Sequence, residues 1–253
     1  MAEVQRHAVV TGAAGGIGRA IVSAFHEAGY AVIATDVVAR PADLDCSIYL
    51  QSDLESTVSD EAYAEKVFAS IRAALSGGGL HALVNNAAIQ ILGGADSLTR
   101  TDWRRTLDVN LLAPFVWTQA LLPELEAVQG CVINISSIHA RLTKRDFLAY
   151  ATSKAALSGM TRAMAVDLGG RVRVNAIEPA AIATEMLAAG FTGRPEAYAA
   201  LARCHPSGCV GSTQEVAVLT LALVDPRIGF VNGACVAIDG GIGGVLHDLQ
   251  QMP

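Results

Sequence analysis

A chain of 253 residues that is 52% hydrophobic and only 5% aromatic is long enough to bury a sizeable core, and that core must be built from Ala, Val, Leu and Ile. Its formal net charge of −6, with Lys and Arg scattered, offers no basic patch and argues against a nucleic-acid partner. No apolar run reaches the roughly 18–20 residues of a membrane helix, the N-terminus lacks a signal peptide's apolar stretch, and five scattered cysteines read as the reduced thiols of a cytoplasmic protein.

The first strand, His7–Val10, runs into Thr11-Gly12-Ala13-Ala14-Gly15-Gly16-Ile17-Gly18 and then a helix, Gly16–Ala28. Glycines at Gly12, Gly16 and Gly18 permit a tight turn and let the backbone approach a pyrophosphate, which the free N–H groups of the helix N-terminus, from Ile17 onward, then hold. The strand–loop–helix context is what such a glycine pattern needs to carry weight. The next strand, Ala31–Thr35, ends at Asp36, about 20 residues beyond the glycines. A carboxylate there accepts hydrogen bonds from adenosine ribose hydroxyls and repels a 2′-phosphate. No basic residue lies between Gly12 and Gly18, although Arg40 is close in sequence. These features predict NAD rather than NADP.

The alternation continues with strand Ser47–Gln51, helix Thr57–Leu75, a turn at Ser76-Gly77-Gly78-Gly79, strand Ala82–Asn85 and helix Thr101–Leu125. Strand Cys131–Ile135, helix Tyr150–Leu168, strand Arg173–Ile177, helix Thr213–Leu223 and strand Ala234–Ile238 follow. Uniformly apolar strands belong to a sheet buried on both faces. The fold class is therefore α/β: a single domain over 1–253, a doubly wound (Rossmann) parallel sheet of about seven strands with helices on both faces. Residues 180–211 interrupt the pattern with short helical pieces between Gly190, Gly193, Pro195, Pro206, Gly208 and Gly211, as a substrate lid does.

Tyr150 and Lys154, four apart on one helix, share a face, and Ser137 lies thirteen residues upstream. A free phenol titrates at about 10. A nearby ammonium and an oxidised nicotinamide both favour the phenolate, which then takes the proton of an alcohol or returns it to a ketone. Ser137 would bond the same substrate oxygen. Cys204-His205…Cys209 lacks a fourth ligand and predicts no metal site. Trp103 and Trp117 read as packing or subunit-contact residues.

These motifs, in this order, resemble the short-chain dehydrogenase/reductase family over almost the whole chain. Beside the glycine loop stand Asp53-Leu54, Leu83-Val84-Asn85-Asn86-Ala87, Val109-Asn110-Leu111, Ile135-Ser136-Ser137, Tyr150-Ala151-Thr152-Ser153-Lys154, Val174-Asn175-Ala176-Ile177 with Pro179, and Asp239-Gly240-Gly241. The resemblance implies a catalytic tetrad of Asn110, Ser137, Tyr150 and Lys154. Within it Lys154 also grips the nicotinamide ribose, and Asn110 positions a water in the proton path. It further implies cofactor contacts from Asp53, Leu54, Asn86, Ala87, Pro179, Ile182 and Thr184. Ala88 and Ala180 depart from the family's usual glycines at those places.

On the substrate side, the resemblance places Gln90 and His139 toward the pocket, as do the polar anchors of 3-hydroxybutyrate dehydrogenases, but Phe147 stands where such enzymes carry a lysine. Glu178 is expected near the pocket too, where its charge would favour neutral, hydroxyl-rich substrates over acids. The expected function is hydride transfer between NAD and a secondary alcohol or ketone: a sugar, a polyol or a small hydroxy acid. The alternatives are an NADPH-dependent ketoreductase of the 3-oxoacyl carrier-protein type and a non-catalytic nucleotide-binding regulatory protein. The apolar helices Thr101–Leu125 and Tyr150–Leu168 match those that pair subunits in the family, which implies a homotetramer, with a dimer as the fallback.

Overall fold

The first strand shows why the sheet has two buried faces. In β1 (Arg6–Thr11) the side chains of Ala8 and Val10 enter one apolar layer, while Val9 enters the other. The computed structural model, which describes residues 5–246, repeats this arrangement across seven parallel strands. They are β1, β2 (Tyr30–Asp36), β3 (Ile48–Gln51), β4 (Ala82–Asn85), β5 (Cys131–Ile135), β6 (Arg173–Pro179) and β7 (Cys235–Ile238). Their order is β3-β2-β1-β4-β5-β6-β7, so the winding reverses between β1 and β4. A crevice opens at the carboxyl ends of the strands where the order reverses.

The helices are α1 (Gly16–Glu27), α2 (Leu54–Ser59), α3 (Glu61–Leu75), α4 (Arg100–Leu107), α5 (Ala113–Ala120), α6 (Leu122–Glu126), α7 (Leu148–Leu168), α8 (Glu185–Gly190), α9 (Pro195–Arg203) and α10 (Thr213–Val224). One layer joins Ile21, Val22 and Phe25 of α1 to Val216 and Leu223 of α10. The opposite layer joins Phe68 and Ile71 of α3, Trp117 of α5 and Leu168 of α7. Trp117 is fully buried, meets Phe68 edge to face at 5.3 Å, and donates its indole N–H to Thr57 Oγ1 at 3.1 Å. It is a packing residue. Among the described residues no helix is long and apolar enough to cross a membrane.

Two expected helices are interrupted. Thr57–Leu75 divides at Asp60, whose backbone is extended (φ −131°, ψ 103°) and whose carboxylate caps α3 by accepting from Tyr63 N–H. Thr101–Leu125 divides into α4, a π-helical turn at Asp108–Leu112, α5 and α6. Pro114 has no N–H and so leaves Asn110 O without its α-helical donor. The chain widens there, and Ala113 N–H bonds instead to Asp108 O, five residues back. The segment 180–211, expected as a lid, has a closed neck. Ile182 and Gly211 form a bridge, Ala183 N–H donates to Gly211 O at 2.8 Å, and Gly211 N–H donates to Ala181 O at 2.9 Å.

Candidate active site

A cavity of about 1290 Å³ runs along the carboxyl ends of the strands beneath α8 and α9. Every residue assigned to the cofactor from the sequence lines it, as do Gln90, His139, Ser137, Tyr150 and Lys154. Asn110 and Glu178 do not.

At one end, the turn after β1 is shaped by contacts that only glycine tolerates. Gly12 has φ +64°, and a Cβ there would sit 2.7 Å from Ala87 Cα. A Cβ on Gly18 would lie 2.8 Å from Gly12 C and 2.9 Å from Ala13 Cα. Asn86 fixes the same turn by donating to Thr11 O and Gly12 O at 3.0 and 2.9 Å. Gly15 precedes α1 without a side-chain cap, so the first-turn N–H groups keep their capacity for an anion. This cradle, which a Cβ would fill, fits a dinucleotide pyrophosphate. Asp53 and Leu54 begin α2 beside it, with the Asp53 carboxylate taking Glu55 N–H at 3.0 Å.

Asp36 closes this end. Its Oδ2 accepts from Ala14 N–H at 3.0 Å, which holds the carboxylate against the glycine loop while leaving acceptor capacity for ribose hydroxyls. Neither neighbouring cation reaches it by hydrogen bond. Arg40 donates to Leu44 O and Cys46 O, and Arg19, which directly follows the glycine loop, donates to Ala14 O and pairs with Asp43 at 2.7 Å. Arg19 carried no sequence signal, because its partner Asp43 is 24 residues away and belongs to no motif.

The residues expected to be catalytic lie further along. Ser137 follows β5, and Tyr150 and Lys154 rise from the first turns of α7. Packing of the phenol into the wall raises the Tyr150 pKa above its ordinary value, while a hydrogen bond with Ser137 opposes that rise. Lys154 is 2% exposed, donates from Nζ to Ile135 O at 2.7 Å, and is pushed down to about 7 by burial. Asn110 lies one layer behind. Its Oδ1 accepts from Ile89 N–H at 2.9 Å, and its Nδ2 donates to Ile89 O at 2.9 Å and Ser153 Oγ at 3.1 Å. With both amide protons used, its side chain positions the Ile89–Gln90 wall and the helix carrying Tyr150.

The wall beyond Tyr150 differs from expectation at Glu178. Because β6 continues through Pro179, strand alternation turns Glu178 away from the cavity and into the α7 layer, where it is 2% exposed. A buried carboxylate needs partners. Arg141 Nε donates to it at 2.8 Å and Ser158 Oγ at 2.9 Å. Glu178 therefore sets no charge at the substrate. It anchors the turn Ile138–Ala140 that follows Ser137, through Arg141 at that turn's end.

His139 does reach the cavity. Its ring stacks on Phe147 at 4.4 Å and meets the Tyr150 ring at 5.7 Å. Burial first, then the Lys144 ammonium, lower its pKa to about 4, so at neutral pH it is an uncharged hydrogen-bonding group. Lys144 itself lies exposed at the rim, 4.6 Å from the Phe147 ring centre.

A family model described as Enoyl-(Acyl carrier protein) reductase matches residues 12–243. Protein FixR of Bradyrhizobium diazoefficiens is 35% identical over 92% of this chain and 85% of its own length. D-threitol dehydrogenase of Mycolicibacterium smegmatis is 34% identical over 92% of this chain and 91% of its own. Among solved structures, the ligand-free aldohexose dehydrogenase of Thermoplasma acidophilum superposes with a TM-score of 0.89 at 28% identity, covering 98% of this chain and 97% of that one.

Proposed function

Because the chain belongs to the short-chain dehydrogenase/reductase family, an oxidoreductase family working on CH–OH groups with a nicotinamide dinucleotide, we propose that its cofactor is NAD and its substrate a polyol or sugar alcohol. NAD, when bound, supplies the hydride acceptor. The protein supplies the rest. The glycine loop and the α1 N-terminus hold the pyrophosphate, Asp36 the adenosine ribose, and Lys154 the nicotinamide ribose. Tyr150 takes the alcohol proton, and Ser137 holds the same oxygen by hydrogen bond.

The observation that carries the reading is the union of two constellations on one cavity: the glycine cradle with Asp36, and Ser137–Tyr150–Lys154. A regulatory protein that only bound nucleotide would not need the second. An NADPH-dependent ketoreductase would need a cation where Asp36 stands with Arg19 and Arg40 engaged elsewhere. A neutral His139, together with the names of the threitol and aldohexose enzymes, supports a hydroxyl-rich substrate over an acid.

Steady-state turnover with each cofactor tests the choice. NAD should exceed NADP in kcat/KM by about 10²-fold, the scale of close like-charge repulsion in a partly buried site, and Asp36→Ala should narrow the gap. Equal efficiency in the unmodified enzyme would refute the assignment.

Assembly follows from exposed apolar side chains on the helices that pair subunits in the family. Leu112 and Phe115 are 41% and 40% exposed beside and on α5, and Leu148 and Val166 are 41% and 85% exposed on α7. We propose a homotetramer. Light scattering at micromolar concentration should give four times the chain mass, and a monomer mass would count against it. Five free cysteines support a reducing, cytoplasmic setting.

The lid should respond to ligand. Thr184, Glu185, Met186, Phe191 and Leu201 line the cavity from above. Amides of residues 185–205 should exchange more slowly once NAD and a polyol are bound. Equal protection with and without ligand would make the segment a fixed wall.

A further inference from the structure

Glu178 is held by more than its ion pair. Arg141 Nε donates to its Oε2 at 2.8 Å, and Ser158 Oγ, on α7, donates to its Oε1 at 2.9 Å. Ser158 Oγ also lies 2.9 Å from Oγ of Ser136, the chain neighbour of Ser137, and Ser136 Oγ donates to Lys154 O at 3.0 Å. Two hydroxyl protons are thus shared among three contacts. Arg141 closes the turn that starts at Ser137: Ala140 N–H donates to Ser137 O at 2.9 Å and Arg141 N–H to Ile138 O at 3.0 Å. One side chain on β6 therefore grips the turn that follows Ser137 on one side and the helix that carries Tyr150 on the other.

Stability alone gives little reason for such a pair. Replacing a buried ion pair with apolar groups of similar volume is often neutral or stabilising, because the desolvation cost offsets the attraction. Glu178 is 2% exposed and Arg141 50%, so the guanidinium can turn to water and the carboxyl cannot. What the pair supplies is geometry. Three elements, β6, α7 and the turn after β5, meet on the two oxygens of one side chain.

We propose that Glu178 is a positioning residue for Ser137: by holding Arg141 and Ser158 at once, it fixes the turn against α7 and so sets the approach of the Ser137 hydroxyl to Tyr150. The proposal rests on the reading of Tyr150 as the base. It differs in sign from an electrostatic role. The titratable groups that face the Tyr150 ring are Lys154 on α7 and His139 on the turn, with Lys154 Nζ and the His139 ring centre each 5.7 Å from its centre, and Lys144 lies behind Phe147. A negative charge at Glu178, acting through space, would oppose the phenolate, so its removal would move the ionisation of Tyr150 to lower pH. Loss of the Ser137 bond, which favours the phenolate, would move it to higher pH.

Glu178→Met keeps the length and volume of the side chain and removes both oxygens. It should move the pH limb of alcohol oxidation up by about one pH unit, the equivalent of one hydrogen bond, so that turnover below the limb falls about tenfold while NAD affinity stays within about twofold. Glu178→Gln removes the charge and keeps the contacts: its oxygen accepts from Arg141 and its amide donates to Ser158. Its turnover should stay within about twofold of the unmodified enzyme. Should Glu178→Met not fold, Arg141→Ala, at a half-exposed side chain, takes its place and must move the limb the same way. A limb that stays or moves down overturns the proposal, and so does a loss in Glu178→Gln as large as that in Glu178→Met.

A readout without turnover separates this failure from that of the underlying reading. In the NAD-loaded protein with no alcohol present, the ¹³Cζ resonance of Tyr150, assigned by its loss in Tyr150→Phe, should titrate at higher pH in Glu178→Met than in the unmodified chain. A titration that does not move overturns the positioning role even if turnover has fallen, since a merely structural loss lowers Tm and leaves the phenol as it was. A titration that moves while the pH limb of turnover does not upholds the role of Glu178 and shows that Tyr150 is not the base.

Discussion

Tyr150→Phe should give a folded protein that binds NAD normally and turns over at least about 10²-fold more slowly, the usual range for losing a general acid–base. The substitution keeps the ring, which packs against His139 and Phe147 at centroid distances of 5.7 and 6.1 Å, and removes only the oxygen. In the unmodified enzyme, alcohol oxidation should rise with pH as the phenol ionises. Burial raises that limb, and the bond with Ser137 lowers it. Lys154→Ala should move the limb to higher pH, lower turnover and weaken NAD binding, because one ammonium serves both tasks.

Lys154 gives a second reading of the same site through stability. Its folded pKa is about 7, below the 10.5 of the free group, so between those values the unfolded chain binds more protons. Stability of the cofactor-free protein should therefore rise as pH goes from about 7 toward 10.5, and Lys154→Met should flatten that slope in urea titrations. If Tyr150→Phe kept near-normal turnover, with another residue controlling the pH limb, the base would be misassigned.

Gly18→Ala should disable the other end of the cavity. Alanine normally favours a helix by about 1 kcal/mol over glycine. Here its Cβ would meet Gly12 C at 2.8 Å and Ala13 Cα at 2.9 Å, both backbone atoms that no side-chain rotation can clear. The clash should win. The loop must move away from α1, with a loss of about 1–3 kcal/mol and a fall of roughly 3–10 °C in Tm. Because the phosphate cradle is that same backbone, NAD affinity by calorimetry should drop at least about 10²-fold. Gly15→Ala is the control, since its Cβ would find its nearest neighbour at 3.6 Å. Equal NAD affinity in the two variants would show that the cradle does not depend on this contact.

The contrast between these glycines and Glu178 explains what could be read from the sequence alone. Gly12, Gly18, Tyr150 and Lys154 act through local spacing: a strand, a turn, one helical face. The strands were legible because both sides of each are apolar, and six of the seven were placed to within a residue at each end. Glu178 was misplaced because its partner Arg141 is 37 residues away and no local pattern announces the pair. Strand alternation past Ile177 held the answer, but the expected strand stopped two residues too soon. Asp60 was hidden by a helical pattern that continued on both sides of it, although Asp-Glu after Ser59 is a fair capping signal.

The closed neck of the lid has a consequence for how such an enzyme changes. With Ile182 bridged to Gly211 and their neighbours exchanging amide bonds, the intervening segment leaves and rejoins the body at a single point. Doubling the length of a loop already closed in this way adds only about 0.6 kcal/mol of entropy. The segment can be exchanged as a cassette while the sheet with its glycine turn, and α7 with Tyr150, stay as they were. Under the proposed reading, part of the substrate wall would then vary independently of Ser137, Tyr150 and Lys154, which lie outside the segment. A lineage built on this scaffold could then reshape that part of the wall by rewriting one stretch of chain between two fixed amide bonds.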